Sequence, residues 1–114
     1  MSAEQLYVVT GGAGFIGSNV AKALAAQGKR VVVVDWLEVG DKWKNLADVA
    51  LHDIVRPDMF LDWLEAYGTQ IAAIVHMGAI SATTETDVDR IVELNLRATL
   101  DLWRFATHQR ATFI

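Results

Sequence analysis

Thr10-Gly11-Gly12-Ala13-Gly14-Phe15-Ile16-Gly17 follows the apolar run Leu6-Tyr7-Val8-Val9 and leads into a helical pattern. Glycines at this spacing, between a strand and a helix, constrain the fold more than anything else in the chain. Gly11 suits a sharp turn at the strand end. Gly14 leaves no Cβ between a pyrophosphate and the amides of the following helix, and Gly17 lets that helix lie close on the sheet. The helix start then offers N–H groups and the positive end of its dipole to phosphates. Glycines also mark ordinary strand-to-helix turns, so context decides. A second apolar run, Val31-Val32-Val33-Val34, ends in Asp35, about 20 residues past the turn, where a carboxylate meets the ribose hydroxyls of an adenosine. Strand, turn, helix, strand and acid in this order point to an adenine dinucleotide.

The bulk properties exclude several partners. A chain of 114 residues that is 53% hydrophobic can bury one core but is short for two domains. Its net charge of -4 provides no basic footprint for nucleic acid. Without cysteine there is neither a disulfide framework nor a thiolate metal site, which suits a reducing compartment. His52 and His108 stand alone, and no second histidine sits at metal spacing. Met1-Ser2-Ala3-Glu4-Gln5 does not read as a signal peptide. The apolar stretch from Ile71 to Ile80 is broken by His76 and Gly78 and is too short for a bilayer needing about 20 residues. The expectation is a soluble, cytoplasmic protein with no membrane, metal or nucleic-acid partner.

Strands and helices alternate along the chain. The pattern predicts a strand over 5–10 and a helix over 14–27 stopped by Gly28 in a left-handed cap, with Ile16, Val20, Ala23 and Leu24 on its buried face. A second strand runs over 30–35, a polar loop over 36–48, and a short third strand over 49–51. Pro57 suits the first turn of a helix carrying Phe60, Leu61 and Leu64 and ending near Tyr67-Gly68. Ile71 to Val75 is apolar throughout, as a strand covered on both faces should be. A long helix over 87–108 follows, its start marked by Thr86 and Asp89, and a fifth strand begins at Thr112-Phe113-Ile114. The fold class is α/β: a Rossmann-type, doubly wound parallel sheet of order 3-2-1-4-(5), truncated at the start of strand five. Its binding crevice lies between strands 1 and 4.

The glycine octet, Asp35 closing strand two, Asp53-Ile54, His76-x-Gly78-Ala79 and Asn95-Leu96-x-x-Thr99 together resemble the extended short-chain dehydrogenase/reductases, a family of NAD(P)-dependent sugar-nucleotide epimerases and dehydratases. The resemblance covers nearly all of the chain. Asp35 followed by Gly40-Asp41-Lys42-Trp43-x-Asn45-Leu46, and Gly78-Ala79-Ile80-Ser81-Ala82-Thr83-Thr84-Glu85, are most similar to the ADP-heptose 6-epimerase branch. Thr83-Thr84-Glu85 is the more specific piece.

This resemblance implies that Gly11, Gly14, Phe15, Ile16 and Gly17 hold the cofactor pyrophosphate, that Asp35 and Trp36 hold the adenosine ribose, and that Asp53 and Ile54 flank the adenine. Met77, Gly78, Ala79 and Ser81 would run beside the nicotinamide half, and Asn95 would support that loop from the long helix. Asp53 could equally be a turn or helix-cap carboxylate, Asn95 a buried amide of structural kind, and His76 reads as a packed, hydrogen-bonded histidine. Ser81, Thr83, Thr84 and Glu85 are candidates for the sugar-facing wall, or simply the polar lead-in of the next helix.

An acid at position 35 favours NAD, because it accepts from the ribose hydroxyls and repels a 2′-phosphate. Lys42 points to NADP, which the heptose epimerases generally take; its alternative role is a solvated loop charge. Pro57 stands near where the resemblance would put a further lysine. The expectation is NADP, with NAD open. The resemblance places the chemistry on a Tyr-x-x-x-Lys pair after strand five; Tyr7 and Tyr67 have no lysine four residues on. Residues 1–114 are thus expected to be the N-terminal cofactor-binding part of an epimerase, without catalytic residues or substrate domain and inactive alone. The implied partners are a nucleotide sugar, ADP-heptose first, and further copies of the chain, since the long helix carries a second apolar stripe of Val88, Val92, Leu96 and Trp103 beside that of Ile91, Leu94, Ala98, Leu102 and Phe105. A UDP-hexose 4-epimerase, a 4,6-dehydratase or a non-catalytic dinucleotide sensor would share the fold.

Overall fold

The structure, a computed structural model, describes residues 5–37, 41–77 and 88–114, with side chains between 88 and 94 given for Asp89 alone. Its elements are β1 (Leu6–Thr10), α1 (Phe15–Ala26), β2 (Arg30–Val34), a 3-10 turn (Lys42–Leu46), β3 (Asp53–Val55), α2 (Phe60–Tyr67), β4 (Ile71–His76), α3 (Val88–Gln109) and β5 (Thr112–Phe113). All neighbouring strands are parallel, in the order β3-β2-β1-β4-β5. This is the expected Rossmann-type sheet. Among the described residues no helix is long and apolar enough to cross a membrane.

Period-two alternation divides the sheet into two dry faces. Leu6, Val8, Val32, Val34, Val55 and Ile74 pack with Phe60 and Leu64 of α2 and Leu102 and Ala106 of α3. Val9, Val31 and Val33 turn the other way, towards Ala13, Ala21 and Leu46. The valines at 31, 32 and 33 are wholly buried, and each such side chain contributes about 1.5–3 kcal/mol. A strand with helices on both sides needs no polar face, and that is why β2 and β4 read as unbroken apolar runs.

Three expectations are corrected. The third strand lies at 53–55, not 49–51. Val49 and Leu51 pack half-buried against the α1-side core, and pairing with β2 opens only where His52 N–H reaches the Val31 carbonyl at 2.8 Å. The fully buried residues of α1 are Gly17, Ser18 and Ala21; Val20 and Leu24 pack half-buried on the same core, as expected, whereas Ile16 is 62% exposed and Ala23 is exposed, because only small residues fit where the helix approaches the turn. Leu61 is likewise exposed, while Phe60 and Leu64 of the same helix are buried. Gly28 caps α1 as expected, with φ +78°.

Candidate functional site

Strand register assembles the site. Thr10 lies opposite Val34 on one side and His76 on the other, so the residues that follow, Gly11, Asp35 and Met77, emerge side by side at the carboxyl edge of the three central strands. Gly11 takes φ +66°, a conformation costly for residues with a Cβ, while its N–H donates to the Val34 carbonyl at 2.8 Å. Gly14 is the N-cap of α1, and Ser18 N–H makes the first bond to its carbonyl at 2.9 Å. The amides of Phe15, Ile16 and Gly17 therefore precede the helix's own bonding ladder. A Cβ at Gly17 would lie 2.1 Å from the Gly11 carbonyl oxygen; one at Gly14 would meet that same oxygen at 3.3 Å and, among the described residues beyond its chain neighbours, nothing else within 4 Å. Gly17 is thus required by packing, and Gly14 is a bare position on an open helix start.

Asp35 turns onto the α1 side of the sheet, as Val31 and Val33 do, and is only 6% exposed. Oδ2 accepts Ala13 N–H at 2.9 Å. Oδ1 accepts Trp36 N–H and Lys42 Nζ, both at 2.7 Å. Lys42 is therefore the counter-ion of the carboxylate and not a solvated loop charge. The Arg56 guanidinium lies 5.2 Å from the centre of the Trp36 ring and pairs with Asp58 at 2.9 Å. From the same 3-10 turn as Lys42, Asn45 Nδ2 donates to the Ala13 carbonyl at 2.8 Å.

Thr10 and His76 face the α3 side. Met77 N–H donates to both the carbonyl and Oγ1 of Thr10, each at 3.1 Å. The Thr10 hydroxyl is left to donate to His76 Nδ1 at 2.6 Å. His76 Nε2–H then reaches Thr99 Oγ1 at 3.1 Å, and the Thr99 hydroxyl donates to the Asn95 carbonyl at 2.9 Å. This order needs a neutral imidazole, and burial pushes the His76 pKa down. His76 is the packed, hydrogen-bonded histidine that was expected.

The structure thus gathers Gly11, Gly14, Phe15, Ile16, Gly17, Asp35, Trp36, Lys42 and Met77 along one edge. Asp53 and Ile54 lie on the outer strand β3 beside Val32 and Val33, below that edge. Asp53 caps no helix: its Oδ1 accepts Ile54 N–H at 2.8 Å. Gly78, Ala79, Ser81, Thr83, Thr84, Glu85 and the helix-start residue Thr86 lie outside the described residues. Asn95 Oδ1 is buried and, among the described residues, has no hydrogen-bond partner. Such an orphaned acceptor calls for a donor from outside the described residues. Sequence reasoning missed the roles of Thr10, Thr99, Asn45 and Arg56. The available signals were a polar threonine closing an otherwise apolar strand and the places of Asn45 and Thr99 within the motifs that carry the resemblance.

An open parallel sheet with a glycine turn and an acid at the carboxyl edge defines the dinucleotide-binding class of α/β domains. Residues 7–114 match the NAD dependent epimerase/dehydratase family, and the chain belongs to that family. It is 44% identical over 113 residues to the ADP-L-glycero-D-manno-heptose-6-epimerase of Nitratidesulfovibrio vulgaris, covering 96% of this chain and 35% of the relative. To the enzyme of the same name in Fusobacterium nucleatum it is 38% identical over 112 residues, covering 96% and 34%. The UDP-glucose 4-epimerase of Thermotoga maritima, solved with UDP-glucose, superposes with a TM-score of 0.71 at 26% identity, over 96% of this chain and 36% of that one. The chain spans about a third of the length of these relatives.

Proposed function

We propose that residues 1–114 are the N-terminal cofactor-binding part of an ADP-heptose 6-epimerase, which inverts C6 of the sugar by transient oxidation and re-reduction. The observation that carries this reading is the 44% identity to an enzyme of that name over nearly the whole chain. Bound nicotinamide would supply a hydride acceptor and then the donor. In this chain Gly14 and the amides of Phe15, Ile16 and Gly17 bind the pyrophosphate, Asp35 and Trp36 hold the adenosine ribose, and Asp53 and Ile54 border the adenine. Met77, Gly78, Ala79, Ser81 and Asn95 line the nicotinamide side, with Ser81, Thr83, Thr84 and Glu85 towards the sugar. The remainder of the protein carries the tyrosine and lysine that move the hydroxyl proton, so this part alone is inactive.

For the cofactor, the Lys42 pairing supports NADP. A carboxylate already compensated by an ammonium repels a 2′-phosphate less. NAD is the second reading, favoured by the buried acid at position 35 and by the family's NAD dependence. Leu96 and Trp103, 59% and 57% exposed on α3, support association of copies through that helix.

The test is to incubate full-length protein with each C6 epimer of ADP-heptose and follow the other by NMR. Interconversion without net consumption of NADPH is expected. Stoichiometric NADPH oxidation would identify a reductase, and turnover of UDP-glucose to UDP-galactose in its place would identify a 4-epimerase.

A further inference from the structure

We infer that Asn45 is a positioning residue for the glycine turn; the inference rests on the reading of that turn as the pyrophosphate site. The Ala13–Gly14 peptide joins a wholly buried residue to the bare N-cap of α1. Its carbonyl is held by Asn45 Nδ2 at 2.8 Å, and its N–H donates to the Gly11 carbonyl at 3.1 Å. Residue 14 must be glycine for close approach, and that freedom is also a weakness. Rotating the 13–14 peptide by a half-turn takes φ of Gly14 from -72° to a positive value, which only glycine adopts at little cost. The flipped peptide would set the Ala13 carbonyl oxygen against the Gly11 carbonyl oxygen that now accepts Gly14 N–H, opening the turn and displacing the helix start and its free amides. Asn45 holds the carbonyl on the side of the 3-10 turn and so suppresses the flip. Asp35 fixes the preceding peptide through Ala13 N–H. The two peptides flanking Ala13 are therefore clamped from the segment that follows β2.

The experiment is calorimetric titration of the full-length protein with NADP+ and with NAD+, for the wild type, Asn45→Ala and Asn45→Asp. Loss of one neutral hydrogen bond weakens an interaction about three- to tenfold. Asn45→Ala should weaken both dinucleotides by that factor with the NADP+/NAD+ ratio and the stoichiometry unchanged, since the pyrophosphate is common to both. Asn45→Asp, equal in size but setting a carboxylate oxygen against the Ala13 carbonyl, should weaken them further. If Asn45→Ala fails to fold, the Asp variant carries the test, because packing is preserved in it. Affinities within twofold of wild type overturn the inference, as does a changed ratio, which would place Asn45 at the ribose. A wild type that binds neither dinucleotide overturns the reading of the turn itself.

Discussion

Gly17→Ala is the sharpest test of the packing behind the site. An added Cβ would meet the Gly11 carbonyl oxygen at 2.1 Å, the Gly11 carbonyl carbon at 2.8 Å and Gly12 Cα at 3.0 Å. Every one of these atoms is backbone, so no rotamer change relieves the overlap. With non-bonded atoms comfortable near 3.5 Å, α1 and the turn must separate by about 1 Å. Alanine in a helix interior gains about 1 kcal/mol over glycine, whereas overpacking costs about 1–3 kcal/mol. A contact with unyielding backbone falls at the upper end, so the net expectation is a loss of about 2 kcal/mol. Displacing the helix start should also cost one charge-assisted hydrogen bond to phosphate, about 1.5–3 kcal/mol or roughly 10–100-fold in dinucleotide affinity. Thermal unfolding and calorimetric titration of the full-length protein measure the two effects. Ala23→Gly is the control: it lies exposed on the same helix, and should lower stability by about 1 kcal/mol without touching affinity. A Gly17→Ala protein as stable as wild type, with affinity within twofold, would refute the close-approach argument.

Lys42→Met should lower the NADP+/NAD+ affinity ratio by at least about tenfold, the scale of one charge-assisted bond, and Asp35→Ala should raise it; a ratio unmoved by both variants would sink the ribose assignment. His76 is held below its ordinary pKa of 6.5 by burial, so the unfolded chain takes up a proton that the folded one refuses. Its contribution to stability is therefore complete above pH 6.5 and declines as the pH falls through 6.5 towards the lower folded value. The thermal midpoint should drop across that window, and less steeply in His76→Asn; equal slopes would contradict the neutral hydrogen-bond chain. Sedimentation equilibrium of the full-length protein should give a dimer or larger species that Trp103→Glu weakens, and a monomeric wild type would end that proposal.

Much of the fold was legible in the residues because parallel strands covered on both faces leave continuous apolar runs, as in Val31–Val34 and Ile71–Val75, and because glycine marks where a strand turns into a helix. β3 was not: it is three residues long, opens on an aspartate and lies on the outer side of β2, so no apolar run sets it apart from Val49–Leu51. Ile16 was wrongly placed on the buried face of α1, beside Val20 and Leu24 which do pack there, for a related reason. Hydrophobic size pointed to Ile16, but the helix sits so near the turn that smallness, at Gly17, Ser18 and Ala21, decides what is buried. In the site, Asp35 and the glycines could be read from their order. Asn45 could not, because its partner is a main-chain carbonyl, and any residue supplies one.

The interleaving of the two sheet faces makes the spacing between motifs a matter of phase rather than length. In β1 and β2, residues that face α1 alternate with residues that face α2 and α3. Removing one residue from within β2 would leave Asp35 near the same edge but turn its carboxylate towards α2 and α3, away from Ala13 and Lys42. No shift of a neighbouring loop restores it, since a loop can change how far a strand reaches but not which way its side chains point. Insertions and deletions in this domain should therefore be confined to the loops between elements, and within a strand only paired changes that preserve parity can leave both faces intact.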